Sequence, residues 1–409
     1  MTDHIPAGNK TDAYIARERQ YLAQIYKPLS IVLNRGDGVW LWDTEGRKYL
    51  DFLSAYSAVS FGHLNARIKQ ALMDQLDRLD IPARAFHTDR LGEFAQTLCE
   101  FTGMDVLQPM NSGAEAVETA VKVARRWGHQ VKGIADGRQR VIVSAGNFHG
   151  RTTTIISFSS DADYKRGFGP LTPGFDIIPF GDLAALEAAI TPDTCAFLTE
   201  PIQGEGGILM PPPGFLKAAQ DLCRKHDVLF FLDEIQTGMG RTGRDFCFQH
   251  EIDKPDGLML GKALGGGIYP VSAFLARRDV MDVLDAGSHG STFGGNPIAA
   301  AIGIEAIKIL RDDRLSERAA ELGEHMLGRL RAIKSPLVRD VRGRGLLIGM
   351  EIDPARATAR QVCDRLLEKG LLSKDTHGTV VRFAPPLIIE REQLDWAADT
   401  LAATLAEMA

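Results

Sequence analysis

At 409 residues the chain is longer than one small domain, and its 44% hydrophobic and 24% charged content excludes disorder and a fibrous fold. Its 47 basic and 53 acidic residues give a formal net charge of -6, which leaves no positive excess to neutralise nucleic-acid phosphates. The N-terminus, MTDHIPAGNKTDAY, lacks a signal-peptide pattern, and no run of about 18 apolar residues follows, so a cytoplasmic protein with no membrane or nucleic-acid partner is expected.

The first predicted element is a hairpin: VWLWDTEGRKYLDF (Val39–Phe52) places two alternating apolar segments around an Asp-Thr-Glu-Gly turn. Cys99 opens a set of five scattered cysteines, with Cys195, Cys223, Cys247 and Cys363. None forms a CxxC pair, so neither a disulfide frame nor a zinc site is suggested. Next, VLQPMNSGAEAVETAVKVARRWG (Val106–Gly128) reads as a short apolar run, a Ser-Gly turn and a helix. That helix shows Val117, Ala120, Val121, Ala124 and Trp127 on one face, with Gly128 as its cap. Ser112, Gly113 and Ala114 then present free backbone N–H groups at a helix start, a physical site for a phosphate dianion. An ordinary Ser-Gly helix start explains the same residues equally well.

From there, helical patterns alternate with apolar runs at Val141–Ser144, Phe175–Pro179, Ala196–Glu200, Val228–Asp233 and Leu258–Leu260. That alternation predicts an α/β fold with a helix-covered, mostly parallel sheet. Asp233 ends the run VLFFLD, where open α/β sheets bind ligands, although a strand-end Asp also caps turns. Lys262 follows another apolar run and precedes the glycines of GKALGGG; alone it reads as a surface lysine. Together the two fit pyridoxal-phosphate (PLP) chemistry, which needs a lysine for the Schiff base and an acid for the pyridine nitrogen. HGSTFGGNP (His289–Pro297) is too rich in Gly and hydroxyl residues for regular structure, and is a binding loop or a connection. From about Asn296 a long helical pattern leads into segments of a smaller α+β domain. The chain divides at this level into 1–56 with the hairpin, 57–312, and 313–409. No metal-ligand spacing accompanies His63, His87, His149 or His289, so no metal is assigned.

The motifs NSGAEAVE, GNFHGRT, EPIQGEGG, DEIQTGMGRTG, GKALGGG and HGSTFGGNP occur in this order. Together they resemble the subgroup of fold-type I aminotransferases that contains ornithine, acetylornithine and GABA aminotransferases, over nearly the whole chain. The resemblance implies PLP as cofactor, bound through Lys262, with Asp233 at the pyridinium nitrogen, Gln236 at the 3-oxygen and Phe148 stacked on the ring. It implies Ser112, Gly113 and Ala114 around the phosphate, and Thr292 reaching the phosphate of the neighbouring subunit, hence a homodimer.

For the substrates, the resemblance implies Arg151 as the grip on a remote carboxylate, and Tyr26 and Tyr56 as ornithine-type features at the α-amino end. Arg382 resembles the α-carboxylate arginine, with Glu205 masking it while ornithine occupies the site; a permanent structural ion pair is the plain alternative. His149 is common to ornithine and acetylornithine enzymes of bacteria and does not discriminate. The expected reaction moves the δ-amino group of L-ornithine to 2-oxoglutarate. The rivals are an acetylornithine or GABA aminotransferase, a PLP decarboxylase or racemase, and a cofactor-binding regulatory domain.

Overall fold

The computed structural model describes residues 10–409. Its largest sheet has seven strands, in the spatial order Val106–Met110, Ser272–Ala276, Gly257–Leu260, Leu229–Asp233, Thr194–Thr199, Arg140–Ser144 and Phe175–Ile178. Ser272–Ala276 runs antiparallel to both its neighbours and the other pairings are parallel. The expected α/β sheet is therefore present, with one reversed strand whose short SAFLA run the sequence reading did not pick out.

These strands read as unbroken apolar runs because both faces are covered, and successive side chains point to opposite faces. In Leu229–Asp233, Phe230 and Leu232 join the core on one face, while Leu229 and Phe231 join the core on the other. The first core is closed by the helices Asp89–Thr102, Phe215–Lys225 and Pro297–Asp312, which bring Phe94, Leu98, Ala219 and Ile302. The second is closed by the helix Gly113–Gln130, whose buried stripe is Ala116, Val117, Ala120, Val121, Val123, Ala124 and Trp127. Gly128 does not cap this helix as expected. It lies inside it, at a close approach where a Cβ would come within 2.7 Å of the Cys195 Cβ.

Two smaller sheets flank the large one. The predicted hairpin is Trp40–Asp43 paired with Lys48–Asp51, its turn closed by Asp43 Oδ1 accepting from the N–H groups of Glu45 and Arg47. Leu33–Asp37 adds to one edge and Leu371–Leu372 to the other, so the hairpin is stitched to a C-terminal strand. The second small sheet is antiparallel, in the order Val338–Arg344, Leu347–Ile352, Val380–Phe383 and Lys374–Thr376. The helices Leu315–Ala332, Ala359–Glu368 and Arg391–Met408 contribute to its core. Among the described residues no helix is long and apolar enough to cross a membrane.

Candidate active site

Four neighbouring parallel strands end at one cavity. After Gly257–Leu260 comes Lys262, Leu229–Asp233 ends in Asp233, Thr194–Thr199 is followed by Glu200, and Arg140–Ser144 leads to Phe148 and His149; all five residues line the same space. Gly113, Ala114, Glu205, Ile235, Gln236 and Thr237 are among the residues that line the rest. This is the carboxyl edge of a parallel sheet, where side chains from separate strands converge without further folding.

Asp233 is buried and accepts the Ile235 N–H at Oδ1 (3.0 Å), while Oδ2 takes the Nδ1 proton of His149 (2.7 Å). Burial opposes a charge on His149. The hydrogen bond and charge of Asp233, with Glu200 behind, outweigh it, and the imidazole pKa is raised. Its Nε2 is buried with no partner among the described residues. Glu200 accepts the Phe148 N–H (3.1 Å), and burial pushes its pKa up to about 7 against the charge of His149. Glu200 was not singled out from the sequence, although it ends an apolar strand just as Asp233 does. Lys262 sits half-buried at positive φ (44°), and burial lowers its pKa.

At the start of Gly113–Gln130 the capping box is complete: Ser112 Oγ accepts the Glu115 N–H (3.3 Å) and Glu115 Oε2 accepts the Ser112 N–H (2.7 Å). This corrects the expectation of a free N–H on Ser112. Helix geometry leaves Gly113 and Ala114 without intrahelical acceptors, and those two face the cavity. A cap of this kind is worth about 1 kcal/mol, so the helix end is held whether or not an anion is bound.

Gln236 donates Nε2–H to Glu205 Oε1 (3.2 Å), and its Oε1 is buried without a partner among the described residues. Gly204 leaves room for this amide, since a Cβ there would fall 1.7 Å from Gln236 Oε1. Glu205 in turn holds Arg382, at 2.5 Å from Nη1 and 3.4 Å from Nη2. Burial opposes the Glu205 charge, yet the Arg382 guanidinium and the Lys262 ammonium hold its pKa down at about 2. The Arg382 side chain is 1% exposed, and its guanidinium lies 5.0 Å from the centre of the Tyr56 ring.

Tyr56 sits on a left-handed turn, with Ser54, Ala55, Tyr56 and Ser57 all at positive φ (43°, 47°, 60° and 72°). For non-glycine residues this costs about 1–2 kcal/mol each. Surrounding contacts must therefore hold the turn.

The remaining predicted residues lie outside the cavity lining. Arg151 is exposed, its guanidinium 3.6 Å above the Tyr164 ring and 5.6 Å from that of Phe148, with no ion pair among the described residues. Tyr26 is 75% exposed. Thr292 lies on a separate concavity with Ile81, Pro82, Ala83 and Phe293.

Residues 21–405 match the model of the aminotransferase class-III family. The chain belongs to that family. It is 53% identical over 393 residues to the ornithine aminotransferase of Halalkalibacterium halodurans, covering 96% of this chain and 98% of that one. To the ornithine aminotransferase of Bacillus subtilis it is 52% identical, over 96% and 97% of the two chains. The fold superposes on the crystal structure of the Toxoplasma gondii ornithine aminotransferase with a TM-score of 0.96 at 43% identity, over 98% and 96% of the chains. An acetylornithine aminotransferase from Elizabethkingia anophelis matches with a TM-score of 0.90 at 49% identity, over 97% and 99%. This class-III chain is a fold-type I, PLP-dependent aminotransferase.

The residues present fit PLP. Two N–H groups at a helix start suit its phosphate, the buried Asp233–His149 pair suits its pyridine nitrogen, the orphaned Gln236 Oε1 leaves room for a donating hydroxyl such as the one at its 3-position, and Lys262 offers an amine.

Proposed function

We propose that this aminotransferase takes the δ-amino group of L-ornithine and passes it to 2-oxoglutarate, as a cytoplasmic homodimer. The observation that carries the reading is the unequal state of two guanidiniums beside the cavity: Arg382 is neutralised by Glu205, while Arg151 has no carboxylate partner among the described residues. Ornithine presented distal amine first offers one carboxylate, which suits the free Arg151. 2-Oxoglutarate offers two, which requires Arg382 to exchange Glu205 for substrate.

PLP, when bound, supplies the electron sink that lets the C–H bond beside the donor nitrogen ionise. Lys262 would hold the cofactor through its amine. That amine would be the base that moves the proton at the donor's δ-carbon, a role that its lowered pKa favours. Asp233 would keep the ring nitrogen protonated, and His149 fixes the carboxylate's direction through Nδ1–H. Phe148 would cover the ring face and Gln236 would meet the 3-oxygen. Gly113 and Ala114 would hold the phosphate through their N–H groups and Ser112 through its hydroxyl, with Thr292 of the neighbouring subunit completing the set. Tyr26 and Tyr56 read the α-amino end.

The product aldehyde, glutamate 5-semialdehyde, cyclises to pyrroline-5-carboxylate. The test is a set of half-reactions without oxo acid, mixing PLP-loaded protein with L-ornithine, N-acetylornithine, GABA or glutamate. The cofactor's long-wavelength absorbance is expected to bleach fastest with L-ornithine, with pyrroline-5-carboxylate trapped. Faster bleaching by N-acetylornithine or GABA would overturn the substrate reading and leave the family in place.

A further inference from the structure

Arg241, in the DEIQTGMGRTG stretch, has no part in the chemistry above, yet it is among the largest fully buried side chains in the molecule. Burial depresses its pKa to about 9, and only the charge of Asp51 opposes this. Among the described residues no carboxylate hydrogen-bonds to it. Its four acceptors are neutral and come from distant parts of the chain, so the guanidinium is used for its fork of donors rather than for an ion pair.

One arm of that fork brackets the Tyr56 turn: Nη2 donates to Ser54 Oγ (3.4 Å) and Ser60 Oγ (2.8 Å). Both hydroxyls already give their own protons away, Ser54 to the Ala384 carbonyl (2.7 Å) and Ser60 to the Ser57 carbonyl (3.0 Å). Each is therefore left as an acceptor, and only a donor can sit between them. The other arm reaches the Arg382 side: Nη1 donates to the carbonyls of Pro385 (2.6 Å) and Leu346 (3.1 Å). Pro385 lies just beyond the strand Val380–Phe383, and Leu346 just ahead of Leu347–Ile352, in which Gly349 pairs with Arg382. The backbone of the same guanidinium-bearing residue closes the frame, its carbonyl accepting the Leu346 N–H (3.0 Å).

We infer that Arg241 is a positioning residue for donor specificity: it clamps the strained turn that carries Tyr56 against the strand that carries Arg382, and so sets the gap that receives the donor's α-amino end. The inference rests on the reading of Tyr56 and Arg382 as substrate-facing residues. An Arg241 that merely filled space would affect stability without touching donor preference.

The experiment compares Arg241→Lys, Ser60→Ala and Tyr56→Ile holoenzymes by two readouts. The first is amide hydrogen exchange over residues 54–58. The second is the ratio of half-reaction rates for L-ornithine and 5-aminopentanoate, which keeps the δ-amine and carboxylate and lacks the α-amine. Expected are exchange faster by about tenfold in Arg241→Lys and Ser60→Ala, and a fall of similar size in the ornithine preference, matching the fall in Tyr56→Ile. Should Arg241→Lys fail to fold, Ser60→Ala carries the test, since it removes the Nη2 acceptor and, besides that, only the hydrogen bond to the Ser57 carbonyl. If Tyr56→Ile lowers the preference while Ser60→Ala leaves both exchange and preference unchanged, the clamp is overturned. Lower melting temperatures with an unchanged ratio in both clamp variants would overturn it as well. If Tyr56→Ile itself leaves the ratio unchanged while exchange quickens in the clamp variants, the fault lies in the donor reading of Tyr56, and the specificity claim falls with it.

Discussion

At the Asp233 end of the cavity the polar side chains come from the edges of adjacent parallel strands, and His149, Glu200 and Asp233 are all buried. At the Arg382 end they come from a left-handed turn, an exposed N-terminal stretch and a separate antiparallel sheet, and Tyr26 and Tyr56 remain open to solvent. The first end is preorganised by the sheet itself, as chemistry common to every substrate requires. The second is assembled from distant pieces, each able to change without disturbing the chemistry, and this is where members of one scaffold can diverge in substrate.

Substitution at the two ends should therefore fail in different ways. Lys262→Ala is expected to abolish the long-wavelength cofactor absorbance and to lower turnover for all donors alike, by about 100- to 10,000-fold or more, in spectra and steady-state rates. A variant that keeps turnover with one donor would break the division between a common and a selective end. Glu205→Ala is the selective counterpart. It leaves Arg382 unmasked, and the glutamate half-reaction should accelerate by about tenfold relative to that of ornithine, the scale of one charged hydrogen bond in stopped-flow rates. A flat ratio would mean that the Glu205–Arg382 pair is a fixed structural element.

The smallest expected effect concerns stability at the Asp233 end. Glu200 is raised from its ordinary 4.5 to about 7 by burial. The unfolded chain therefore ionises this group first, and folding stability is lost as pH rises from about 4.5 to about 7, with no further loss above. Glu200→Gln removes that dependence. Relative to the parent it should gain stability across this window, by up to roughly 3 kcal/mol, in urea unfolding at several pH values. A pH-independent difference would place the Glu200 titration elsewhere.

The contrast also explains what could be read in the sequence. Asp233 and Lys262 follow apolar runs, and the Ser112–Ala114 helix start carries its own cap and stripe, so local pattern pointed to each. Glu200 bore the same signal as Asp233, and only its lack of an assigned role left it unnamed. Glu205 and Arg382 are 177 residues apart and meet through the packing of a second sheet, which no local pattern reports. The turn at 54–57 contains neither Gly nor Asn, so nothing in SAYS announces its left-handed backbone. Family resemblance, not periodicity, brought Tyr56 into view. The Ser112 N–H is not free because Glu115, three residues on, reaches back to it in a capping box that the local Ser-Gly pattern does not show.

The most direct test of the central claim, that the distal amine is the one presented, is nitrogen tracing. L-Ornithine labelled with nitrogen-15 at the δ-position is turned over with 2-oxoglutarate, and the glutamate formed is analysed by mass spectrometry. The account predicts that the label appears in glutamate while the pyrroline-5-carboxylate is unlabelled. Unlabelled glutamate, with the label retained in the other product, would show that the α-amine is transferred and would contradict it.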